Sequence, residues 1–330
     1  FSSSQCPLGL GKGKKFCLLA NLYDKTLIRN RLSYDFASEV GGCHYTPRTE
    51  YVDVYLNNRF LGNYLMTQAV GEGKEKVDID ITKNEFLFEY EPFEGYSNPN
   101  CIATPILGIL LGFNEPEQPT AEQFEWLNLF LAEAESALVS HDFERIAEYF
   151  DIDSFVDFYI VNELFKDVDF STSSTRFYLK KGRLYAGPLW DMDLSSGNVS
   201  EEAGYYGEYW NSNTSGDSTE SFYCRKIWYR ELFGCQKFGE LVRKRYAKLQ
   251  PQIVNLTTDN ELGLNRIDRL IAKYGKSFAA NYEKAGWSVS YVYGEFESRY
   301  PAKTYEGNVE YLREWLIRRN AWLLHELGIS

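Results

Sequence analysis

The sequence predicts an α+β protein, with a small antiparallel sheet in an N-terminal part (residues 1–91) and a larger, mainly helical C-terminal part (residues 92–330). Three observations lead to this prediction. Strand-like stretches rich in Tyr, Val and Leu dominate the first part. Apolar residues recur at helical spacing after Thr120. Of the 330 residues, 44% are hydrophobic, which is enough for a large buried core.

The N-terminal part is predicted to contain one helix between short strands. A strand at residues 16–20 precedes Asp24, which is predicted to cap a helix that continues to Val40. Three more strands are predicted at residues 51–56, 61–67 and 86–90. The Gly- and Lys-rich residues 1–15 match no established phosphate-binding loop in their spacing. We therefore expect them to form a flexible, solvated segment.

The C-terminal part is predicted to consist of helices around one β-hairpin. Thr120 and Gln123 form a capping box, and a helix at residues 154–165 is apolar nearly all round, which indicates burial. The hairpin strands are predicted at residues 176–180 and 184–190. Further helices are predicted at residues 222–233, 238–253, 262–284 and 308–327.

The charge and hydropathy patterns limit the classes of partner. The net charge of −12 argues against binding to nucleic acid, because that affinity comes from Lys and Arg neutralising phosphates. No apolar run is long enough to span a bilayer. The most apolar stretch, residues 102–113, is short and contains Pro105, so we predict buried core there.

The six cysteines lack the paired CxxC spacing of a zinc site, and most are predicted to be buried free thiols. Cys224 and Cys235 are close enough in sequence for one disulfide if the protein is exported. The chain begins at Phe1 without Met or a signal peptide, so we expect a processed or trimmed piece.

Three carboxylates around the predicted hairpin indicate metal-dependent chemistry. Asp169 lies in the loop after the buried helix, whereas Asp191 and Asp193 follow the second hairpin strand. Two carboxylates two residues apart can straddle a hard cation, which prefers oxygen ligands. A separate loop carboxylate can accept a proton from an attacking hydroxyl. This order of helix, loop Asp, hairpin and metal Asp occurs in protein-kinase-like phosphotransfer sites.

Other interpretations of these carboxylates stay open on residue patterns alone. An Asp-x-Asp triplet also occurs in metal-dependent glycosyltransferases, and many such triplets are solvated loop carboxylates. The apolar strand beside it and the upstream Asp169 favour kinase-like chemistry. No histidine-based site competes, because the chain's three histidines are scattered; they are His44, His141 and His325.

Several segments together resemble the CotH kinase family, named for spore-coat protein H. The stretch LLANLYDKTLIRN at residues 18–30 is similar to the family's LLANxxDKTLLRN, and YVDVYLNNRFLGNYLMT at residues 51–67 is similar to its YVEVYLNGxYLGxYLLT hairpin. Residues 162–175 resemble its NEL…VD…ST region, and GPLWDMDLSSG at residues 187–197 its GPLWDxDxxxG motif. The final helix also resembles the family's, so the likeness spans nearly the whole chain.

The resemblance implies a two-lobed, atypical protein-kinase-like fold. It implies a kinase that uses ATP with Mg²⁺ or Mn²⁺ to phosphorylate Ser or Thr on a protein, with a bacterial spore-coat, cell-surface or secreted location. Asp169 would then be the catalytic base, and Asp191 and Asp193 the metal ligands. Nucleotide-binding positions carried over in the same way are Met66, Gln68, Lys25 and Arg29.

The sequence departs from the family pattern in its first residues. In the family, a Lys-bearing strand precedes the region where this chain starts, and Phe1 aligns with its end, so we expect the phosphate-gripping lysine of that strand to be absent from this sequence. Two alternatives to a kinase therefore remain. One is a pseudokinase or surface-displayed binding module, for which the Tyr-rich residues 205–210 supply exposed aromatics. The other is a different metal-dependent transferase that uses a nucleotide.

Overall fold

The fold is α+β, as the sequence predicts. The computed structural model describes residues 2–92, 100–170, 172–198, 219–289 and 302–329. Within those ranges the chain forms two antiparallel sheets and nine α-helices. The predicted Tyr-rich binding surface at residues 205–210 lies outside the described residues.

The first sheet has three strands in the order β1-β3-β2. They are β1 (Phe16–Leu19), β2 (Thr49–Leu56) and β3 (Arg59–Gln68). The single helix of this part, α1 (Arg29–Val40), connects β1 to β2. It buries Leu32, Phe36 and Val40, spaced four residues apart, against the main core. Gly41 ends the helix in the left-handed conformation, with φ of 88°.

The second sheet has five strands in the order β5-β6-β4-β7-β8. They are β4 (Phe86–Tyr90), β5 (Cys101–Ala103), β6 (Leu110–Glu115), β7 (Arg176–Lys180) and β8 (Arg183–Ala186). Strand β4, predicted in the N-terminal part, is hydrogen-bonded between β6 and β7 of this sheet. The apolar residues 102–113 belong largely to β5 and β6, and most of them are buried.

Eight helices follow α1. They are α2 (Ala121–Val139), α3 (Phe143–Tyr149), α4 (Ile152–Phe165), α5 (Tyr229–Leu232), α6 (Gln236–Lys248), α7 (Gln250–Val254), α8 (Arg266–Glu283) and α9 (Tyr305–Glu326). Helix α4 is central, since every residue from Ser154 to Phe165 is buried and it contacts α1, α6, α9 and β8. The capping box at Thr120 and Gln123 is confirmed.

Several predicted element boundaries were wrong, and three of them bear on the site or on the fold around it. Helix α1 begins at Arg29, because the Asp24 carboxylate accepts the N–H groups of Thr26 and Arg29 and folds the intervening residues into a turn. Strand β8 ends at Ala186, so the Asp-x-Asp pair lies in the loop beyond it. The predicted helix at residues 222–233 is α-helical only over Tyr229–Leu232, because the N–H groups of residues 223 and 224 donate to a side chain instead.

The N-terminal Gly- and Lys-rich segment is more ordered than predicted. Gly11 is buried, and the Lys12 N–H donates to Glu75 at 2.9 Å. The side chain of Gln68 donates to the Lys12 carbonyl at 3.1 Å. This segment therefore packs against the end of β3, although the side chains of its lysines remain exposed.

Two further predictions concern a disulfide bond and the absence of a segment that could span a membrane. All six cysteines are free, so the disulfide considered for Cys224 and Cys235 in an exported protein is not formed here. Both of those thiols are buried. Among the helices of the described residues, none combines the length and apolar character that a membrane crossing needs.

Candidate active site

The loop after α4 presents the first carboxylates of the site. Lys166 ends the helix in a left-handed conformation, with φ of 48°. The Asp169 N–H then donates to the Asp167 carboxylate at 3.3 Å. The Asp169 carbonyl in turn accepts the N–H groups of Thr172 and Ser173 at 2.8 and 3.0 Å. These bonds fix the backbone of Asp169 in the loop between α4 and β7.

The loop after β8 carries Asp191 and Asp193 and is anchored to helix α1. The Tyr34 hydroxyl accepts the Asp191 N–H at 2.9 Å, and the Asn30 side-chain oxygen accepts the Met192 N–H at 2.7 Å. Asp191 is left-handed, with φ of 61°, a conformation that Asp tolerates better than most residues. Two side chains one helical turn apart on α1 thus fix the backbone between the paired carboxylates.

Arg29 joins the start of α1 to the same loop. Its guanidinium pairs with Asp24 at 2.5 Å and donates to the Ser195 and Ser196 carbonyls at 2.9 and 3.3 Å. The side chain is only 3% exposed. These contacts make Arg29 a positioning residue for the Asp193 loop. The contacts give no support to the predicted phosphate contact of Arg29.

Helix α9 closes the other side of this loop at Gly197. The residue has φ of 72°, and a Cβ there would lie 2.5 Å from the Trp315 ring. The Tyr311 hydroxyl donates to the Gly197 carbonyl at 3.3 Å. Only glycine fits this approach, which explains the glycine of the GPLWDMDLSSG motif.

Four carboxylates interact electrostatically at the junction of the two loops. Burial raises the pKa of Asp169 to about 7, with a further contribution from the charge of Asp191. Burial and then Asp191 raise the pKa of Asp193 well above its usual range. Burial and then Asp169 do the same for the pKa of Asp167. Burial also raises the pKa of Asp191, although Arg176 opposes this. Burial first, and the charges of neighbouring carboxylates second, therefore disfavour the charged forms of these groups.

This electrostatic pattern is suited to the binding of a divalent cation by the carboxylates. Within the described ranges no group of three or more His, Cys, Asp or Glu side chains is arranged to hold a metal ion. Mg²⁺ usually takes only one or two protein carboxylates and completes its shell with phosphate and water oxygens. As whole residues, Asp191 and Asp193 are of intermediate exposure, and such a pair fits that mode.

The structure places the other predicted nucleotide-binding residues as follows. Met66 and Gln68 lie in β3, the central strand of the first sheet, opposite Leu18 and Phe16 of β1. Gln68 is fully buried.

Lys25 is 3% exposed and its amine donates to the Leu22 carbonyl at 3.2 Å. Burial lowers the pKa of Lys25 to about 8, against the effect of Asp24. Nucleotide contacts by Met66, Gln68 and Lys25 stay predictions.

Some residues of the site were missed in the sequence. Asn30 and Tyr34 are polar groups on a buried helix face, and that combination was the available signal. Asn198 donates to the Asp193 carbonyl at 2.7 Å and to the Tyr23 carbonyl at 2.9 Å, and nothing in its own neighbourhood points to that role. Arg176 starts β7 beside the site and looks like an ordinary strand residue in the sequence.

The comparison with known families agrees with this geometry. The family model described as CotH kinase protein matches residues 5–323. Because the match covers nearly the whole chain, the protein belongs to the CotH kinase family, and its α+β fold is consistent with that membership. A search of the curated proteins found no match.

Proposed function

We propose that this chain is an ATP-dependent protein kinase that phosphorylates Ser or Thr on a secreted, cell-surface or spore-coat protein. The proposal includes a two-lobed, kinase-like arrangement with the nucleotide between the lobes. Its principal support is the placement of Asp169 in the loop after α4 and of Asp191 and Asp193 in the loop after β8 that Tyr34 and Asn30 anchor to α1. Membership of the CotH kinase family supports the same reaction class.

Asp169 is the proposed general base. A carboxylate with an ordinary pKa is a weak base at neutral pH, whereas a pKa of about 7 gives a base suited to that pH. The acceptor hydroxyl oxygen bonds to the γ-phosphorus, and the bond to the β–γ bridging oxygen breaks. The hydroxyl proton moves to the Asp169 carboxylate, and ADP leaves with the electron pair. The turn at Thr172 and Ser173 holds the base in place.

Asp191 and Asp193 are the proposed ligands of Mg²⁺ or Mn²⁺. When bound, such a cation supplies charge neutralisation for the phosphate oxygens of ATP. The residues of this chain supply the fixed geometry. Tyr34 and Asn30 hold the backbone between the two carboxylates, and Arg29 holds the loop that follows.

The test is phosphate transfer from γ-labelled ATP to dephosphorylated casein in the presence of Mn²⁺. Asp169→Asn is expected to retain Mn²⁺-dependent ATP binding and to lower transfer at least about a hundredfold, the scale of general-base catalysis. The matched control is Asp153→Asn, an exposed carboxylate in the first turn of α4, which should transfer at the wild-type rate.

The alternatives give different results in the same experiment. Transfer that survives Asp169→Asn unchanged would overturn the assignment of the base. ATP binding without any transfer by the wild-type protein favours a pseudokinase. Binding of a sugar nucleotide in preference to ATP favours another metal-dependent transferase.

A further inference from the structure

The guanidinium of Arg176 is buried, and part of its hydrogen-bonding capacity is not used within the described residues. The residue is 9% exposed, at the start of β7. Its Nη2 donates to the Glu89 carboxylate at 2.7 Å. In the part of the chain that the structure describes, its Nε and Nη1 find no hydrogen-bond partner. Buried charged donors without acceptors are destabilising, so this group is suited to an acceptor that comes from outside the chain.

Glu89 forms an ion pair with Arg176 but accepts a hydrogen bond only from its Nη2. One Glu89 oxygen accepts Nη2 of Arg176, and the other accepts the Ser174 N–H at 3.0 Å. The guanidinium also lies over the Trp190 ring, with its carbon 5.4 Å from the ring centroid. The ion pair and the ring contact fix the plane of the guanidinium. Its two remaining donor nitrogens are therefore held in defined positions before any ligand arrives.

The position of Arg176 next to the acidic site limits what that acceptor is. Trp190 directly precedes Asp191, and Ser174, which Glu89 holds, donates to the Asp191 carboxylate at 3.5 Å. Burial raises the pKa of Cys17 on strand β1 of the first sheet, and the positive charges of Lys76 and then Arg176 oppose that rise. An acceptor at this place lies beside the proposed metal ligands and near the first sheet. An anion with several oxygens spaced along a chain fits this setting.

We propose that Arg176 binds the polyphosphate of the nucleotide, with Nε and Nη1 donating to phosphate oxygens beside Asp191 and with Glu89 as its positioning residue. This inference rests on the proposed kinase function and names a residue that binds the phosphates. Arginine suits the role because its charge persists at every working pH and its donors are rigidly placed. Arg176 would supply a positive charge for the phosphates in place of the phosphate-gripping lysine that we expect to be absent from this sequence.

The experiment is calorimetric titration of the wild-type protein and its variants with three probes. The probes are ATP with Mg²⁺, tripolyphosphate with Mg²⁺, and adenosine. Arg176→Met is expected to weaken binding of ATP and tripolyphosphate about tenfold or more and to leave adenosine binding unchanged, because charge-assisted bonds to phosphate are lost. Arg183→Met, which removes an exposed arginine on the neighbouring strand β8, is the matched control and should bind all three probes as the wild type does.

A second variant distinguishes the contribution of the two hydrogen-bond donors of Arg176 to binding from that of its positive charge. Arg176→Lys keeps a cation but cannot reproduce two fixed donors, so its affinity for tripolyphosphate is expected to fall between those of Arg176→Met and the wild type. The denaturation midpoint without ligand checks folding. Because the wild-type guanidinium is partly unsatisfied, Arg176→Lys should fold normally and keeps the test valid if Arg176→Met does not.

The outcomes distinguish this inference from the kinase proposal. If the folded Arg176→Met or Arg176→Lys protein binds tripolyphosphate and ATP as tightly as the wild type, the inference is overturned even where phosphate transfer is observed. It is likewise overturned if the wild type binds neither ligand. If Arg176-dependent polyphosphate binding occurs without transfer to protein, the inference stands and the kinase proposal fails.

Discussion

The carboxylates of the site carry an energetic cost in their charged form, which a bound proton or a bound cation lowers. Asp167, Asp169, Asp191 and Asp193 all have raised pKa values, with burial as the first cause of each. Between about pH 4 and pH 7 the folded protein therefore binds protons that the unfolded chain has already released. The stability that these protons provide is complete below the ordinary pKa of Asp and is lost as the pH rises through the raised values.

A divalent cation should replace those protons, which gives a prediction with a definite sign. Because metal and proton compete for the same oxygens, we expect Mn²⁺ to raise the unfolding temperature more at about pH 8 than at about pH 5. Asp191→Asn should reduce the shift at about pH 8 several-fold. The measurement is thermal unfolding with millimolar Mn²⁺ at both pH values.

The control for this prediction is Asp153→Asn, since that carboxylate is exposed and lies outside the cluster. It should show the full Mn²⁺ shift at both pH values. A shift that is equal at the two pH values, or that persists in Asp191→Asn, would contradict the assignment of Asp191 as a metal ligand.

A site residue could be predicted when the sequence around it carried a recognisable pattern. Asp169, Asp191 and Asp193 stand at recognisable positions in a helix, loop and hairpin order, so they could be identified. Their raised pKa values could not, because these depend on packing of the two loops against each other and, for Asp193, on Asp24. Arg29 has a charge typical of a phosphate contact, and only the tertiary structure directs its guanidinium to the Ser195 and Ser196 carbonyls.

At the scale of elements, helix α1 is the platform for the Asp-x-Asp loop. Asn30 and Tyr34 are one turn apart and both accept backbone N–H groups of that loop. The left-handed conformation of Asp191 needs such support, because it is uncommon for residues other than glycine. A shift of α1 would therefore move the proposed metal ligands.

Tyr34→Phe tests this coupling with a single atom. Removing the hydroxyl leaves the Asp191 N–H without its acceptor, so we expect a loss of about 1–3 kcal/mol in the free energy of unfolding. We also expect a higher Mn²⁺ concentration to be needed for the unfolding shift, because the Asp191 backbone is less well fixed. Urea denaturation and Mn²⁺ titration measure the two effects.

The matched control for Tyr34→Phe is Tyr55→Phe on strand β2, where the tyrosine is 64% exposed. It should leave both quantities unchanged. If Tyr34→Phe lowers stability but leaves the Mn²⁺ requirement as in the wild type, the hydroxyl contributes to folding alone and α1 does not position the metal ligands.

Elements with strong local patterns were predicted well. The capping box of α2, the buried α4 and the first hairpin strand β7 agree with their predictions. The misplaced boundaries occur where side chains distant in sequence take over backbone groups. Glu163 accepts the N–H groups of Tyr223 and Cys224, which prevents a helix there. Strand β4 joins the second sheet because its partners, β6 and β7, lie far along the chain.

At the scale of the whole molecule, one buried ion pair connects distant parts of the chain. Glu163 on α4 and Arg319 on α9 are 2.6 Å apart and almost completely buried. Arg319 also donates to the carbonyls of Thr219 and Ser221, and Glu163 holds the next residues through its carboxylate. The pair thus joins α4, whose end carries the Asp169 loop, to the C-terminal helix and to residues 219–224.

A double-mutant cycle on this pair is the corresponding prediction. Arg319→Met leaves a buried carboxylate without its cation, and Glu163→Gln leaves a buried guanidinium without its counter-charge. Each is expected to lower the free energy of unfolding by about 3–5 kcal/mol, as found when one partner of a buried pair is removed. The double variant should be less destabilised than the sum of the two, because neither charge is then left alone.

Arg243 supplies the matched control, because it is exposed on α6 and no salt bridge is described for it. Arg243→Met should change the free energy of unfolding by less than about 0.5 kcal/mol. Urea denaturation of all five proteins provides the comparison. Strict additivity of the two single losses would mean that Glu163 and Arg319 act independently, each through its backbone partners. A large coupling would mean that the C-terminal helix stabilises the Asp169 loop through this pair, so that truncating α9 would impair the site without touching it.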